Sequence, residues 1–230
     1  DLQCTRSPLS TVGMNVNTGT ASFTINIERT VSAEYFSFTT SDAEYNVLCK
    51  IRSMPNSAYL LDNADFALGI VTGNNKEYIS DIKNENNEMI LKGADICKYH
   101  ITRTNNYIVF KPENFQQAAP TEMYRSPEKL LYRFISSQLV FAYDDKQTLS
   151  LNSCNIVIPR LPGIKIKYVL AILNSRIAQF IYKKEFNSVK VLRSHIENIP
   201  IPTADVSTQA EIIALTDKLI SVLQAAEAEK

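Results

Sequence analysis

The sequence is short of the residues that build most metal and redox centres. It has only two histidines, His100 and His195, and its four cysteines lie far apart along the chain. Zinc sites need closely spaced cysteine or histidine pairs, and secreted disulfide frameworks need a dense set of cysteines. We therefore expect reduced cysteines and structural histidines, and the sequence indicates no metal site.

Long hydrophobic runs are also missing. No segment approaches the roughly 20 apolar residues of a membrane span, and the first ten residues, DLQCTRSPLS, lack the apolar stretch of a secretory signal. We expect a cytoplasmic protein with no membrane partner. Because the chain does not begin with Met, we also expect it to be a piece of something longer.

A net charge is missing as well, since 24 basic residues balance 24 acidic ones. Overall charge therefore does not favour a polyanion partner. The local balance differs, because the segment from Arg160 to His195 holds eight basic residues against one acid, Glu185, an excess of seven. This segment predicts either a surface that binds phosphates or an ordinary solvated helix face.

Two apolar and aromatic stretches, residues 130–135 and 139–143, stand out in the middle of the chain. The polar Ser136, Ser137 and Gln138 separate them, and this pattern predicts a β-hairpin. A helix starting at Pro127 is the alternative, because proline is accepted at the first helical position. The fully polar residues 144–148 follow the second strand, and we expect them to be free to bind a ligand.

The first fifth of the chain carries weaker signals. We expect an irregular lead-in over residues 1–20 and strands at 23–27, where apolar and polar residues alternate, and at 35–38. Ser41 and Glu44 have capping-box spacing and predict a short helix that ends near residue 52.

The second half predicts a strand at 107–110, a strand or broken strand pair over 149–158, and an amphipathic helix over 167–184. Ile199-Pro200-Ile201-Pro202 predicts a stiff extended link. After it, a capping box of Thr208 and Glu211 starts a last helix with a seam at coiled-coil spacing: Ile212, Leu215, Leu219 and Val222. That seam could pack on its own domain or pair with a partner helix.

Together these elements predict an α+β fold, with a mixed or antiparallel β-sheet, packed helices and a C-terminal helical extension. We divide the chain into an irregular and strand lead-in (residues 1–44), a main domain (45–203) and a C-terminal amphipathic helix (204–230).

No catalytic centre is visible in the sequence. The segment TGNNK, residues 72–76, lacks the Gly-Lys-Ser/Thr ending of a phosphate-binding loop, so it predicts a hairpin turn or a loop that faces a nucleic acid. Asp144 and Asp145 come nearest to a general base or magnesium ligand. Adjacent residues on a strand point to opposite sides, so this pair is a poor chelate.

Five segments, taken in order, resemble a known family: FALGIVTGNNKEYI, ILKGADICKYHITRTNNYIVF, KLLYRFISSQLVFAYDDKQTLSLNSCNIVIP, YVLAILNSRIAQFIYKKEF and IENIPIP. The set is similar to the C-terminal target-recognition domain of Taq-like adenine-specific DNA methyltransferases. Fused type IIG restriction-modification enzymes are close relatives, and specificity subunits of type I systems share the domain plan. The resemblance covers roughly residues 45–203.

In that family a catalytic domain toward the amino terminus binds S-adenosylmethionine and holds a flipped adenine with an Asn-Pro-Pro-Tyr/Phe motif. This chain has neither that motif nor a glycine-rich cofactor loop. The resemblance therefore implies a DNA reader without a cofactor of its own. Its partners would be double-stranded DNA and the N-terminal methyltransferase domain of the same parent chain, which could also cleave DNA.

The resemblance implies DNA contacts from the 72–76 loop and the hairpin segment. Side-chain chemistry suggests guanine for Arg133, adenine for the amides and phosphates for the other cations. Asp144 and Asp145 could accept from cytosine or orient Lys146 and Gln147. The full set is Thr72, Gly73, Asn74, Asn75, Lys76, Arg103, Arg133, Asp144, Lys146, Gln147, Asn152 and Lys183. A structural salt bridge is an equal alternative for Arg133.

Three alternatives stay open at this point. One is a protein-interaction or scaffold domain that pairs through its C-terminal helix, over residues 208–226. Another is a specificity subunit of a type I restriction system. The last is a stand-alone enzyme, which the missing catalytic residues disfavour.

Overall fold

The computed structural model describes residues 40–229 and the backbone of three strands nearer the amino terminus. Its contacts divide the chain into two units, which we describe separately. The first comprises Asp1–Pro55 with Lys184–Phe186, and the second comprises Asn56–Lys183 with Asn187–Lys230. The extended segment predicted at 35–38 lies outside the described residues.

The first unit contains an antiparallel three-stranded sheet. Its strands are β1 (Gln3–Arg6), β2 (Gly13–Asn17) and β3 (Ser22–Asn26), with β2 in the centre. The strand predicted at 23–27 is confirmed, whereas the irregular lead-in predicted for residues 1–20 is wrong. β1 and β2 are short and rich in polar residues, and they are extended because β1 pairs with β2 and β2 pairs with β3. In β2 the apolar Met14 and Val16 alternate with Asn15 and Asn17, a strand pattern that the prediction overlooked.

Helix α1 (Asp42–Arg52) of the first unit begins where the sequence predicts. The backbone N–H of Glu44 donates to Ser41 Oγ at 3.4 Å, and the N–H of Ser41 donates to a Glu44 carboxylate oxygen at 3.0 Å. This reciprocal pair is the predicted capping box, and it satisfies two backbone donors that the first helical turn leaves without partners.

The second unit holds two four-stranded sheets and a small strand pair. Its strands are β4 (Ser57–Ala58), β5 (Ala64–Ala67), β6 (Ile79–Ser80), β7 (Glu88–Leu91), β8 (Tyr107–Ile108), β9 (Lys129–Arg133), β10 (Phe141–Asp144), β11 (Leu149–Ser150), β12 (Cys154–Pro159) and β13 (Ile201–Pro202).

Sheet I has the order β10-β9-β12-β5 and is antiparallel throughout. Sheet II has the order β11-β7-β8-β6 and is mixed, because β11 runs parallel to β7. The strand pair joins β4 and β13.

Six helices of the second unit accompany these strands: α2 (Asn75–Tyr78), α3 (Thr121–Tyr124), α4 (Ile166–Asn174), α5 (Arg176–Ile181), α6 (Arg193–Glu197) and α7 (Val206–Ala228). Short 3₁₀ turns lie at Gly93–Asp95 and Pro112–Asn114, and a π-helical turn lies at Tyr182–Phe186. The predicted α+β class is confirmed. Within the described part of the chain, no helix combines the length and apolarity needed to cross a membrane.

The predicted hairpin is the centre of sheet I. β9 and β10 pair antiparallel with Tyr132 opposite Phe141, so the hairpin is confirmed and the helical alternative is wrong. Leu131 belongs to the core that the two sheets share. Its neighbours Leu130 and Tyr132 point to the opposite face, where α4 packs. Both faces are covered, which explains why the apolar run in the sequence is nearly continuous.

Two carboxamides stabilise the outer edge of β10. The side chain of Asn174 accepts from the N–H of Phe141 at 3.1 Å and donates to its carbonyl at 2.9 Å. Gln179 does the same for Leu139, at 2.9 and 3.0 Å. These bonds satisfy backbone groups that an edge strand would otherwise expose.

The single helix predicted over residues 167–184 is wrong, because the chain breaks at Ser175. This residue is extended (φ −65°, ψ 160°), and its hydroxyl accepts from the N–H of Ala178 at 3.2 Å as the N-cap of α5. The break lets one carboxamide on each short helix reach the β10 edge. The tertiary contact therefore overrides the helical periodicity of the sequence.

Helix α7 starts earlier than the sequence indicates. Its N-cap is Asp205, whose carboxylate accepts from the N–H of Thr208 at 2.8 Å. Hydrogen bonds from Ser207 and Thr208 hold the pKa of Asp205 below its usual range. The capping box predicted for Thr208 and Glu211 is therefore wrong, because the nearby aspartate caps the helix instead.

Candidate functional site

A cleft of about 690 Å³ opens in the second unit. One wall is the turn over residues 144–148, which follows β10, and the facing wall is the C-terminal half of α7, from Asp217 onward. Residues 101–103, the start of β7 and Lys167 complete the lining. The polar loop that the sequence predicts as a binding segment thus lines a concave surface.

The 144–148 turn is built on a buried ion pair. Lys129 and Asp144 face each other across the hairpin, and their side chains are 0% and 1% exposed. The Lys129 ammonium donates to Asp144 Oδ2 at 2.5 Å and to the carbonyl of Tyr124 at 2.8 Å. Burial lowers the pKa of Lys129, and the Asp144 charge offsets part of this effect.

Asp144 uses its remaining acceptor capacity to shape the turn. Its carboxylate accepts from the N–H of Thr148 at 2.9 Å, from the Thr148 hydroxyl at 2.8 Å and from the N–H of Lys146 at 3.3 Å. The carboxylate predicted to contact cytosine is therefore buried and occupied inside the protein. Lys146 and Gln147 are the exposed residues that it holds at the tip.

A second tether joins the tip of the turn to sheet II. Arg125 donates to the carbonyl of Gln147 at 3.1 Å and binds both carboxylate oxygens of Glu88, at 2.7 and 2.6 Å. The hydrogen bond with Glu88 raises the pKa of Arg125. The guanidinium also lies 5.1 Å from the ring centroid of Phe110. A planar fork with this set of partners has one defined orientation.

Side-chain contacts hold the α7 wall in place. Lys167 bonds to Asp217 of α7 at 2.6 Å, and its ammonium lies 4.7 Å from the ring centroid of Tyr143. Burial, with the neighbouring Glu128 carboxylate, raises the pKa of Tyr143. Arg103 donates to the carbonyl of Ala228 at 3.3 Å, at the negative end of the helix.

The residues that line the cleft carry no positive excess. They include five acids, Glu88, Asp144, Asp145, Asp217 and Glu227, and three bases, Arg103, Lys146 and Lys167. Three of the acids form ion pairs: Glu88 with Arg125, Asp144 with Lys129, and Asp217 with Lys167. Arg125 and Lys129 lie outside the lining, and counting them brings the balance to five acids and five bases. The cleft therefore offers directional donors and acceptors rather than a strong positive field.

The cleft brings together four of the residues singled out in the sequence: Arg103, Asp144, Lys146 and Gln147. The other eight lie outside its lining. Sequence reasoning missed Glu88, Arg125 and Lys129, which support the turn. Only Lys129 left a signal, as a charged residue at the start of an apolar strand.

The predicted 72–76 loop leads into α2 and is largely engaged with itself. Thr72 is buried and its hydroxyl donates to Asn75 Oδ1 at 2.6 Å. Gly73 has φ +82°, and Asn74 donates to Glu77 at 3.3 Å. Asn75 and Lys76 are exposed.

Three further predicted residues lie apart from the cleft. Arg133 donates to the carbonyls of Ile96 at 2.7 Å and Ala94 at 3.3 Å, so its guanidinium braces the 93–96 turn. Asn152 is exposed, and Lys183 is exposed in the π-helical turn that follows α5. Their contact with DNA stays a prediction.

Ion pairs break up the basic segment from Arg160 to His195. Arg160 pairs with Asp65, Lys167 with Asp217, Lys184 with Glu44, and Arg193 with Glu197. Within residues 40–229, four exposed cations of this segment form no ion pair: Lys165, Arg176, Lys183 and Lys190. Ion pairing therefore leaves fewer unpaired positive charges in this segment than the sequence indicates.

The second unit has an α+β fold in which two sheets share one core. Residues 88–201 match the family model described as the TaqI-like C-terminal specificity domain. The chain thus carries a TaqI-like C-terminal specificity domain, the specificity module of restriction-modification enzymes. The matched segment includes every lining residue of the cleft except those of α7.

Solved structures of restriction-modification proteins are similar to the chain. One, titled as the basis of complex assembly and conformational transition of a type I R-M system, has a TM-score of 0.47 and 15% identity and covers 81% of this chain. Another, the HsdS subunit from Thermoanaerobacter tengcongensis, has a TM-score of 0.43 and 14% identity and covers 82%. The alignments cover 46% and 48% of those two chains, about half their length. Comparison with curated proteins gave no match.

Proposed function

We propose that this chain recognises a specific sequence in duplex DNA, as the specificity domain of an adenine-specific DNA methyltransferase or a fused type IIG restriction-modification enzyme. The observation that carries the proposal is the specificity-domain match over residues 88–201, which contains the 144–148 turn. That turn presents Lys146 and Gln147 on a rigid support at a concave surface.

The chemistry of the cleft suits base edges better than phosphates. Sequence is read in the major groove by side chains that match donor and acceptor patterns, and phosphate contacts carry no sequence information directly. A lining without a positive excess, with amide, hydroxyl and single charged groups, fits the first task. The exposed cations Lys165, Arg176, Lys183 and Lys190 supply the charge for the second.

The methyl transfer belongs, in this proposal, to another part of the parent protein. An enzyme that modifies a base in duplex DNA takes the base out of the stack into a pocket of its catalytic domain. A separate specificity domain then has to hold the duplex in one register. On this basis S-adenosylmethionine and the flipped adenine bind the N-terminal methyltransferase domain, and this chain binds the flanking sequence.

Selection from a pool of random duplexes tests the proposal. The chain should enrich a defined sequence, and its affinity should fall as salt rises, because each neutralised phosphate releases counterions. Lys146→Gln should weaken binding or change the selected sequence, whereas Lys83→Gln, an exposed lysine outside the cleft, should leave the selected sequence unchanged. Binding without enrichment, or affinity independent of salt, would refute sequence-specific recognition.

A second function, pairing through α7, is supported by a separate observation. Leu215, Leu219 and Val222 are 69%, 39% and 57% exposed and lie at positions i, i+4 and i+7 of the helix. Such a stripe is typical of a helix that contacts a partner helix. The face that packs on the domain is a different one, with Gln209, Thr216 and Ile220 buried.

Sedimentation velocity tests this pairing without removing the helix. We expect a concentration-dependent dimer of the chain that Leu215→Glu or Val222→Glu dissociates. Val206→Glu is the matched control, because Val206 is 83% exposed and lies on the opposite side of the helix. A monomer at all concentrations would exclude self-pairing.

A further inference from the structure

Gln147 has a backbone conformation that its residue type disfavours. Its φ is +57°, in the left-handed region, where the side chain of an L-residue approaches the following carbonyl. Glycine adopts this conformation at no steric cost, and Asn or Asp adopt it more readily than Gln. Glycine would be expected in a tight turn after a strand, so the presence of glutamine at this position requires an explanation.

Contacts within the described residues do not explain the choice of glutamine at position 147. It is exposed at the cleft, and among the described residues its carboxamide has no hydrogen-bond partner, although its backbone carbonyl accepts from Arg125. No hydrogen bond of the side chain within the described residues therefore offsets the cost of this backbone conformation. Strained residues of this kind persist where the surroundings impose the backbone, and they cluster at functional sites.

The surroundings impose the backbone from both flanks. Asp144 accepts from the N–H groups of Lys146 and Thr148, on either side of Gln147, at 3.3 and 2.9 Å. Arg125 donates to the carbonyl of Gln147 at 3.1 Å, and Glu88 fixes the arginine with two bonds of 2.7 and 2.6 Å. The direction in which the carboxamide leaves the turn is therefore set by hydrogen bonds to the backbone at Gln147 and on both sides of it.

We propose that Gln147 is a specificity-determining residue, held in a strained turn so that its carboxamide reads adenine, with Arg125 and Asp144 as positioning residues. This inference rests on the proposed function. The carboxamide carries one acceptor and one donor side by side, which match the N6 amino group and N7 of adenine in the major groove. Guanine presents two acceptors there and would leave the carboxamide oxygen without a donor.

Two substitutions separate this role from that of an ordinary turn residue. Gln147→Gly removes the side chain and suits the left-handed backbone, so its thermal midpoint should equal or exceed that of the original chain. Gln147→Met keeps the side-chain length and the strain but removes the amide. Both should lose discrimination at the same single base-pair position, by roughly 5- to 150-fold, the range expected for one bidentate contact.

The assay is competition binding of the full chain to duplexes that differ from its selected sequence at one base pair each, after selection from random duplexes. Arg125→Lys keeps the charge but loses the planar fork, so it should weaken discrimination at the same position and leave the salt dependence unchanged. Asp81→Asn is the control, because Asp81 is exposed and lies outside the lining of the cleft, and it should leave that position unaffected.

The outcomes distinguish this inference from the proposed function. If the original chain selects no sequence, the proposed function fails and this inference fails with it. If the chain selects a sequence but Gln147→Gly and Gln147→Met keep its full profile, or weaken every position equally, only the role of Gln147 is overturned. A lower thermal midpoint for Gln147→Gly would contradict the strain on which the inference depends.

Discussion

Replacing Lys129 by Met tests whether the turn over residues 144–148 depends on a buried charge pair. The substitution removes the ammonium and nearly keeps the side-chain volume, and it leaves Asp144, whose side chain is 1% exposed, without its counter-ion. Removing one partner of a buried ion pair costs about 3–5 kcal/mol, because the other charge stays buried and uncompensated. Three hydrogen bonds to Asp144 persist, so we expect a value toward the lower limit of this range.

Urea denaturation of the full chain measures this loss. The midpoint should fall with an unchanged slope, since the surface exposed on unfolding stays the same. For a chain of this size about 3 kcal/mol corresponds to a fall of roughly 6–12 °C in the thermal midpoint. Lys146→Met is the matched control: Lys146 is exposed at the tip of the same turn, and its loss should change stability by no more than about 0.5 kcal/mol.

A double variant sharpens the result. Lys129→Met with Asp144→Asn removes both charges, so the second substitution should restore part of the stability that the first removes. A Lys129→Met chain that loses less than about 1 kcal/mol, or a double variant whose losses simply add, would refute the buried ion pair as the support of the turn.

Three further predictions concern the core of the domain. Burial raises the pKa of Tyr132 to about 12 in the folded protein, above the unfolded value of about 10. A stability of about 3 kcal/mol is therefore present below pH 10 and lost between pH 10 and 12. Tyr132→Phe should remove this step from the pH dependence of urea unfolding. Gly69→Ala would place a Cβ 2.1 Å from the carbonyl oxygen of Leu151, so the backbone must shift and urea unfolding should show a loss of about 1–3 kcal/mol or more. Burial raises the pKa of the Cys154 thiol, whereas Cys49 is exposed, so iodoacetamide should alkylate Cys49 in the native protein and Cys154 only after unfolding, as peptide mass spectrometry would show.

Local signals predicted the hairpin and the first helix well, because both are set by contacts between near neighbours. The capping box joins Ser41 to Glu44, three positions later, and the hairpin pairs Tyr132 with Phe141, nine positions later. The continuous apolar run of β9 also has a simple cause, since sheet II covers one face of the strand and α4 covers the other.

Signals that depend on distant residues were not visible in the sequence. The break at Ser175 allows Asn174 and Gln179 to bond backbone groups 33 and 40 positions earlier in the chain. The periodicity of residues 167–184 is the same with or without this break. Strand β1 was missed for a similar reason, since pairing with β2 rather than residue preference makes it extended. In β2 the alternation of Met14 and Val16 with Asn15 and Asn17 was a local signal that the prediction overlooked.

The candidate site shows the same division between local and distant information. The polar tip was apparent in the sequence as an unexplained loop after an apolar strand, and it placed Lys146 and Gln147 in the candidate set. The residues that support the turn were not apparent in the sequence. Lys129 is 15 positions from Asp144, Arg125 is 22 positions from Gln147, and Arg125 is 37 positions from Glu88. No motif links residues at such separations.

The separation of tip and support has a consequence for how one fold can carry many specificities. Asp144 and Arg125 act on backbone groups of the turn, so they position it whatever side chains Lys146 and Gln147 carry. Under the proposed function, the side chains at the tip read bases, which requires that they be held rigidly. The shape of the turn depends on Asp144 and Arg125, whereas its chemistry depends on the exposed Lys146 and Gln147, so the tip can differ in chemistry without a change in its support. The buried charges are therefore understood better as positioning groups than as a source of stability, since an apolar pair of the same volume would fill the core but could not fix the turn.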